Sequence, residues 1–82
     1  MIRFEEGKGN KKYNALIYDD FNNLVKKIPF GDRRYQQFHD KIGLYKHLDH
    51  NDERRRLNYQ KRHKNDKLNE LSPGYFSWHY LW

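Results

Sequence analysis

Lys11-Lys12-Tyr13-Asn14-Ala15-Leu16-Ile17-Tyr18 is followed by Asp19-Asp20-Phe21-Asn22-Asn23 and then by Leu24-Val25-Lys26-Lys27-Ile28-Pro29-Phe30. The first and third runs are dominated by β-forming residues. The five between them are turn chemistry, because Asn and Asp tolerate left-handed backbone and bond their own main chain. Two such runs about a short turn predict a β-hairpin. In the second strand Leu24, Ile28 and Phe30 fall on one face and Lys27 on the other. Pro29 cannot donate to a ladder, so this strand lies at a sheet edge or ends there, and Gly31-Asp32 terminates it.

On the amino-terminal side, Met1–Asn10 reads as a flexible arm that ends in Gly7-Lys8-Gly9-Asn10, which leaves residues 11–82 as one small domain. On the other side, Tyr35, Phe38 and Ile42 recur at i, i+3 and i+7, the spacing of a short amphipathic helix over 33–42, with Gly43 as its stop. A further helix starts near Asp49 or Asn51, carries Asp52 and Glu53 in its first turn, and runs to about Lys64. Its large uncharged side chains, Leu57 and Tyr59, sit about 160° apart, so it has no wide apolar stripe. It is expected to dock through Tyr59 and His63, with arginine stems over aromatic rings. Ser72 followed by Pro73 is a helix start, and Tyr75, Trp78 and Trp82 align beyond it. An extended aromatic strand competes for that last segment. The expected fold class is α+β: an N-terminal β-hairpin, two or three short helices and an aromatic C-terminal helix. Phe30, Tyr59, His63, Phe76, Trp78 and Trp82 are the expected structural core.

Eighty-two residues, 35% apolar, suffice for one thin core, and five Phe, two Trp and seven Tyr make it a core of rings. A large enzyme with a deep closed pocket is excluded. There is no cysteine, so no disulfide staples the chain. No apolar run approaches the ~20 residues of a membrane span, and Met1-Ile2-Arg3-Phe4-Glu5-Glu6 does not read as a secretory signal. Seventeen Lys plus Arg against eleven Asp plus Glu give a net charge of +6. The excess is concentrated between Asn51 and Lys67, where Arg54, Arg55, Arg56, Lys61, Arg62, Lys64 and Lys67 face Asp52, Glu53 and Asp66. Such a balance favours polyanionic partners.

Five blocks occur in order: Gly9-Asn10-Lys11-Lys12-Tyr13, Ile28-Pro29-Phe30-Gly31-Asp32, Leu44 to Asp52, Arg55 to His63, and Ser72 to Trp82. Together they resemble a family of small, basic, uncharacterised proteins encoded by large double-stranded DNA viruses of eukaryotes, the giant viruses. The family element H-x-D-x-x-R-R-x-x-Y-x-x-R-H is matched here by His50, Asp52, Arg55, Arg56, Tyr59, Arg62 and His63, and the aromatic segment ending Leu81-Trp82 matches as well. The chain departs from the pattern in its short connector, Asn65–Leu71, and in stopping at Trp82, beyond which members often continue. The resemblance implies a viral origin and a place in the virion or viral factory, and it implies no reaction.

Three functions compete. Arg54, Arg55, Arg56, Lys61, Arg62 and Lys64 form a candidate nucleic-acid or polyanion surface, non-specific and phosphate-dominated, since guanidinium forks match phosphate oxygens. Tyr35, Tyr45 and Tyr59 are candidates to stack on bases. A minor capsid or cement protein bridging other virion proteins is the alternative, because Trp78, Tyr80 and Trp82 exceed what a small core readily buries. A metal-dependent nuclease using His47, Asp49, His50, Asp52 and His63 is remote: a zinc site needs four fixed ligands and the ββα spacing of His-metal nucleases is missing. A non-enzymatic binding protein of the virion or viral factory, without cofactor or metal, is therefore expected.

Overall fold

The computed structural model describes all 82 residues. Both predicted strands form: β2 spans Lys11–Tyr18 and β3 spans Leu24–Asp32, antiparallel, with Tyr13 opposite Phe30 and Ala15 opposite Ile28. The turn between them is built as its residues dictate. Asp19 Oδ1 accepts the backbone N–H groups of Phe21 and Asn23, both at 2.9 Å, and Asn22 takes the left-handed conformation at φ 63°.

The amino-terminal arm is a third strand, which corrects the expectation of a flexible lead. β1, Ile2–Glu6, pairs antiparallel with β2 and completes a sheet of order β1-β2-β3. Two forces hold it. Pairing satisfies the β2 edge that a lone hairpin would leave open, and Phe4 packs edge-on to Phe30, Phe76 and Tyr80 at 5.9, 6.1 and 4.6 Å between centroids. The tight β1–β2 turn requires Gly7, where a Cβ would lie 2.5 Å from the Lys11 carbonyl oxygen. With β1 in place β2 is central and β3 an edge, as Pro29 demands.

One sheet face carries Phe4, Tyr13, Ala15, Ile28 and Phe30. Onto it packs α2, Pro73–Tyr80, started by Ser72, whose Oγ accepts the Tyr75 N–H at 3.0 Å, and by Pro73 in the first turn. Phe76 and Leu81 bring the helix end of the core, and both are buried. The expected alignment of Tyr75, Trp78 and Trp82 therefore flanks the core instead of forming it: all three are half-buried. Leu24 also departs from expectation. The register shifts between Ile17 and Tyr18, and Leu24 sits beyond the covered part of the sheet, half exposed. On the opposite sheet face Lys12, Asn14 and Leu16 are buried too. There Glu5 accepts from Asn14 Nδ2 at 2.8 Å and pairs with Lys27 at 3.3 Å.

Residues 33–42 are not helical. Backbone groups here find partners outside their own segment: Gln37 N–H donates to the Leu48 carbonyl, His50 N–H to Gln37, and Asn51 N–H to Phe38. Gln37 thereby forms a single parallel bridge with Asp49. Asp40 takes over what a helix would have supplied, accepting the N–H groups of Ile42, Gly43 and Tyr45 at 2.8–3.0 Å. Tyr45 leads into a 3₁₀ turn, Lys46–Leu48, and α1 spans Glu53–Arg62. The α1 cap is Asp52, one residue past the expected Asn51, which is itself left-handed at φ 52°. A second 3₁₀ turn, Asp66–Leu68, links α1 to α2. No helix is long and apolar enough to cross a membrane.

Candidate functional site

α1 presents the cationic segment. Its start is fixed in series: His50 Nδ1 accepts the Asp52 N–H at 2.9 Å, and Asp52 Oδ1 accepts the N–H groups of Arg54 and Arg55 at 2.9 and 3.2 Å. Because Nδ1 is an acceptor, His50 is the neutral Nε2–H tautomer there. Burial and then the neighbouring Arg55 charge hold its pKa below the ordinary imidazole value. None of the helix's residues is fully buried.

The helix is held instead by rings and neutral acceptors. Tyr59 stacks on Trp82 at 4.2 Å with 4° between planes, and on His63 at 4.4 Å. Arg56 donates from Nε to the Trp82 carbonyl at 2.9 Å and lays its guanidinium 4.9 Å from the Phe38 centroid. Docking through Tyr59 and His63 with an arginine over a ring is thus the arrangement present. Burial, followed by the nearby Asp66 carboxylate, pushes the Tyr59 hydroxyl up to about 12.

The six predicted cations fall into three groups. Arg54, Lys61, Arg62 and Lys64 are exposed and have no carboxylate within 4 Å. Arg55 donates to a neutral acceptor, Gln36 Oε1, at 2.8 Å, and keeps its charge uncompensated. Arg56 is the one with structural duties: besides Trp82 and Phe38 it faces Glu53 at 3.6 Å. Of the six residues expected to form the core, Phe30 and Phe76 are fully buried, while Tyr59, His63, Trp78 and Trp82 form the half-buried seam between α1 and α2.

Beside that seam lies a cleft of about 340 Å³ between the end of β3, the end of α1 and the start of α2. Phe30, Leu81, Trp82 and Pro73 give it apolar walls, and Tyr35 and Gln36 stand at the side nearest Arg55. Asp32 and Asp66 add carboxylates. Asp32 is held at about 2 by its hydrogen bonds from Arg34. Asp66 pairs with His63 Nδ1 at 3.0 Å and packs so closely on Gly74 that a Cβ there would lie 2.6 Å from its carboxyl carbon. The proposed metal ligands are dispersed into separate pairings: His39 with Asp49, His50 with the Asp52 main chain, His63 with Asp66. No three His, Asp or Glu side chains are grouped to share an ion.

Sequence reasoning missed the buried polar cluster under this surface. Lys12, 2% exposed, donates from Nζ to the Tyr35 carbonyl at 2.9 Å and to Gln37 Oε1. Gln37 Nε2 in turn donates to the Tyr45 carbonyl and to Asp49 Oδ1, which also accepts the Asp40 N–H. Tyr13 donates its hydroxyl to Asp40 Oδ2 at 2.5 Å and accepts from Leu44 N–H at 2.9 Å. This cluster shapes the 33–50 segment on which α1 rests. The available signal was Asp40 three residues before Gly43, a pattern that suits a side-chain-closed turn better than a helix interior. No family model, curated protein or solved structure matches the chain.

Proposed function

We propose that the protein binds nucleic acid without sequence preference, by laying the exposed side of α1 along the phosphate backbone. The observation that supports this reading is the division of labour on α1. Neutral groups anchor the helix, and Arg54, Arg55, Lys61, Arg62 and Lys64 carry charges that no internal carboxylate neutralises. Phosphate oxygens supply the missing partners, and each contact releases a condensed counterion. Base-specific readout is not part of the proposal, since it needs side chains aimed at groove edges. The resemblance to giant-virus proteins makes the particle or viral factory the proposed setting.

Fluorescence anisotropy with a labelled oligonucleotide tests it. With four phosphate contacts the affinity should fall about a hundred-fold between 50 and 200 mM salt. The combined Arg54→Ala, Lys61→Ala, Arg62→Ala and Lys64→Ala variant, which removes no internal side-chain hydrogen bond or ion pair, should stay folded and lose most of the binding. Unchanged affinity in that variant would refute the reading.

A second reading, a bridge between larger proteins, has its own support at the hairpin tip, where Met1, Phe21, Leu24 and Val25 are 63, 84, 50 and 60% exposed. Clustered exposed apolar side chains mark protein contacts. Nuclease-resistant, stoichiometric copurification with shell proteins that Phe21→Ser abolishes is its expected signature; loss of the association on nuclease treatment would count against it.

A further inference from the structure

We infer that the cleft between β3, α1 and α2 receives an unpaired base, so that the nucleic acid engaged by α1 is single-stranded. This rests on the reading of α1 as a phosphate-binding helix and adds what that helix cannot decide, the strandedness of the ligand.

The cleft's chemistry selects its occupant. Asp32 and Asp66 stand in its wall beside Lys11 and Lys12, and Asp32 is paired with Arg34, Asp66 with His63 and the Lys12 amine with Tyr35 and Gln37, so neither sign of charge dominates and a neutral group is admitted. At about 340 Å³ it is at the small end of ligand pockets, which run from roughly 300 to 1,000 Å³. Its apolar surface, given by Trp82 and Pro73 over a floor of buried Phe30 and Leu81, suits a flat, poorly hydrated body, and the polar groups of Gln36, Asp32 and Ser77 suit the donor and acceptor edge of a base. The ring available for stacking is Tyr35. Both faces of Tyr59 are already covered, by Trp82 and by His63. Tyr35, by contrast, is 65% exposed, with the Arg34 guanidinium 5.7 Å from its centroid. Stacking on such a platform is sequence-tolerant, in keeping with binding that does not read a sequence.

Position joins the cleft to the helix. Gln36 lines the cleft and accepts from Arg55, so the charge row of α1 begins at the cleft's rim. A strand whose phosphates follow α1 passes its next base over that rim. Duplex DNA keeps its bases paired and stacked, and offers the cleft nothing.

The test compares three fluorescein-labelled ligands of equal length at low salt: an oligothymidylate, an abasic oligomer with the same phosphates, and a duplex. The oligothymidylate is expected to bind at least about ten-fold tighter than the abasic oligomer, the range for one or two stacked bases. In a Trp78→Phe protein, where Trp82 is the sole indole, oligothymidylate should change the emission and the abasic oligomer should not. Ser77→Phe fills the cleft and should erase the preference for bases while leaving abasic binding unchanged. Should that variant fail to fold, Tyr35→Ala at an exposed position serves instead and should reduce the preference. Equal affinity for oligothymidylate and abasic oligomer, with silent Trp82 emission, overturns the base pocket and leaves phosphate binding standing. Binding of neither at low salt overturns both.

Discussion

Asp40 shows how one side chain redirects a segment. It is fully buried, and its two oxygens collect the Tyr13 hydroxyl and the N–H groups of Ile42, Gly43 and Tyr45. Burial works to raise its pKa; the hydrogen bonds from Tyr13 and from the three backbone donors outweigh it, and the net shift is downward. A carboxyl lowered in the folded state stabilises fully above its unfolded value of ~3.9, and that stabilisation is lost as pH falls through the folded value. Urea unfolding should therefore show stability declining below pH ~4. Asp40→Ala should cost about 3 kcal/mol at neutral pH, because it orphans several buried donors at once, and should flatten that acid decline. A variant with wild-type stability would show that the cluster is incidental.

At the scale of elements, α1 and α2 differ in how they are attached. α2 sinks Phe76 into the sheet, whereas α1 has no buried residue and rests on the Tyr59–Trp82 stack and the Arg56–Trp82 hydrogen bond. α1 is thus the element with the lower opening free energy. Tyr59→Ala should destabilise by about 2–3 kcal/mol and speed amide exchange within Glu53–Arg62 well before that of β2; uniform acceleration across the sheet would contradict this attachment. These same elements mark what the sequence disclosed. The hairpin, the Ser72-Pro73 helix start and the ring docking of α1 were legible because each depends on local chemistry. The strand Ile2–Glu6 was not, since its partner lies along β2 and its glycine-rich turn resembled a loose lead. The helix expected over 33–42 failed for the opposite reason: Tyr35, Phe38 and Ile42 carry helical spacing, but Gln37 and Asp40 commit the backbone to distant partners. Of the candidate site, the charges could be read, and the cleft could not, because its walls come from three separated segments.

The molecule as a whole is elongated, 42 × 26 × 19 Å, with a net charge of +6. It carries two surfaces of different character, the apolar hairpin tip and the cationic helix. Several of the other cations are internally engaged: Lys27 with Glu5, Arg33 with Glu6 and the Gly7 carbonyl, Arg34 with Asp32, Lys41 with the His79 carbonyl. Arg54, Arg55, Lys61, Arg62 and Lys64 bring cations without a carboxylate partner together in one short stretch, so the salt response of binding should follow α1 substitutions more than those at Lys27 or Arg34.

Lys12 sits in the central strand beside an exposed twin, Lys11, and burial lowers its pKa. An acylating reagent should modify Lys11 at once and reach the Lys12 amine only when the sheet and the 33–50 segment come apart together. Peptide mass spectrometry of the two adjacent amines then turns the chain into its own unfolding clock, with reactivity at Lys12 slowing wherever a ligand stabilises the native state; equal labelling of the pair would mean that the lysine is not enclosed.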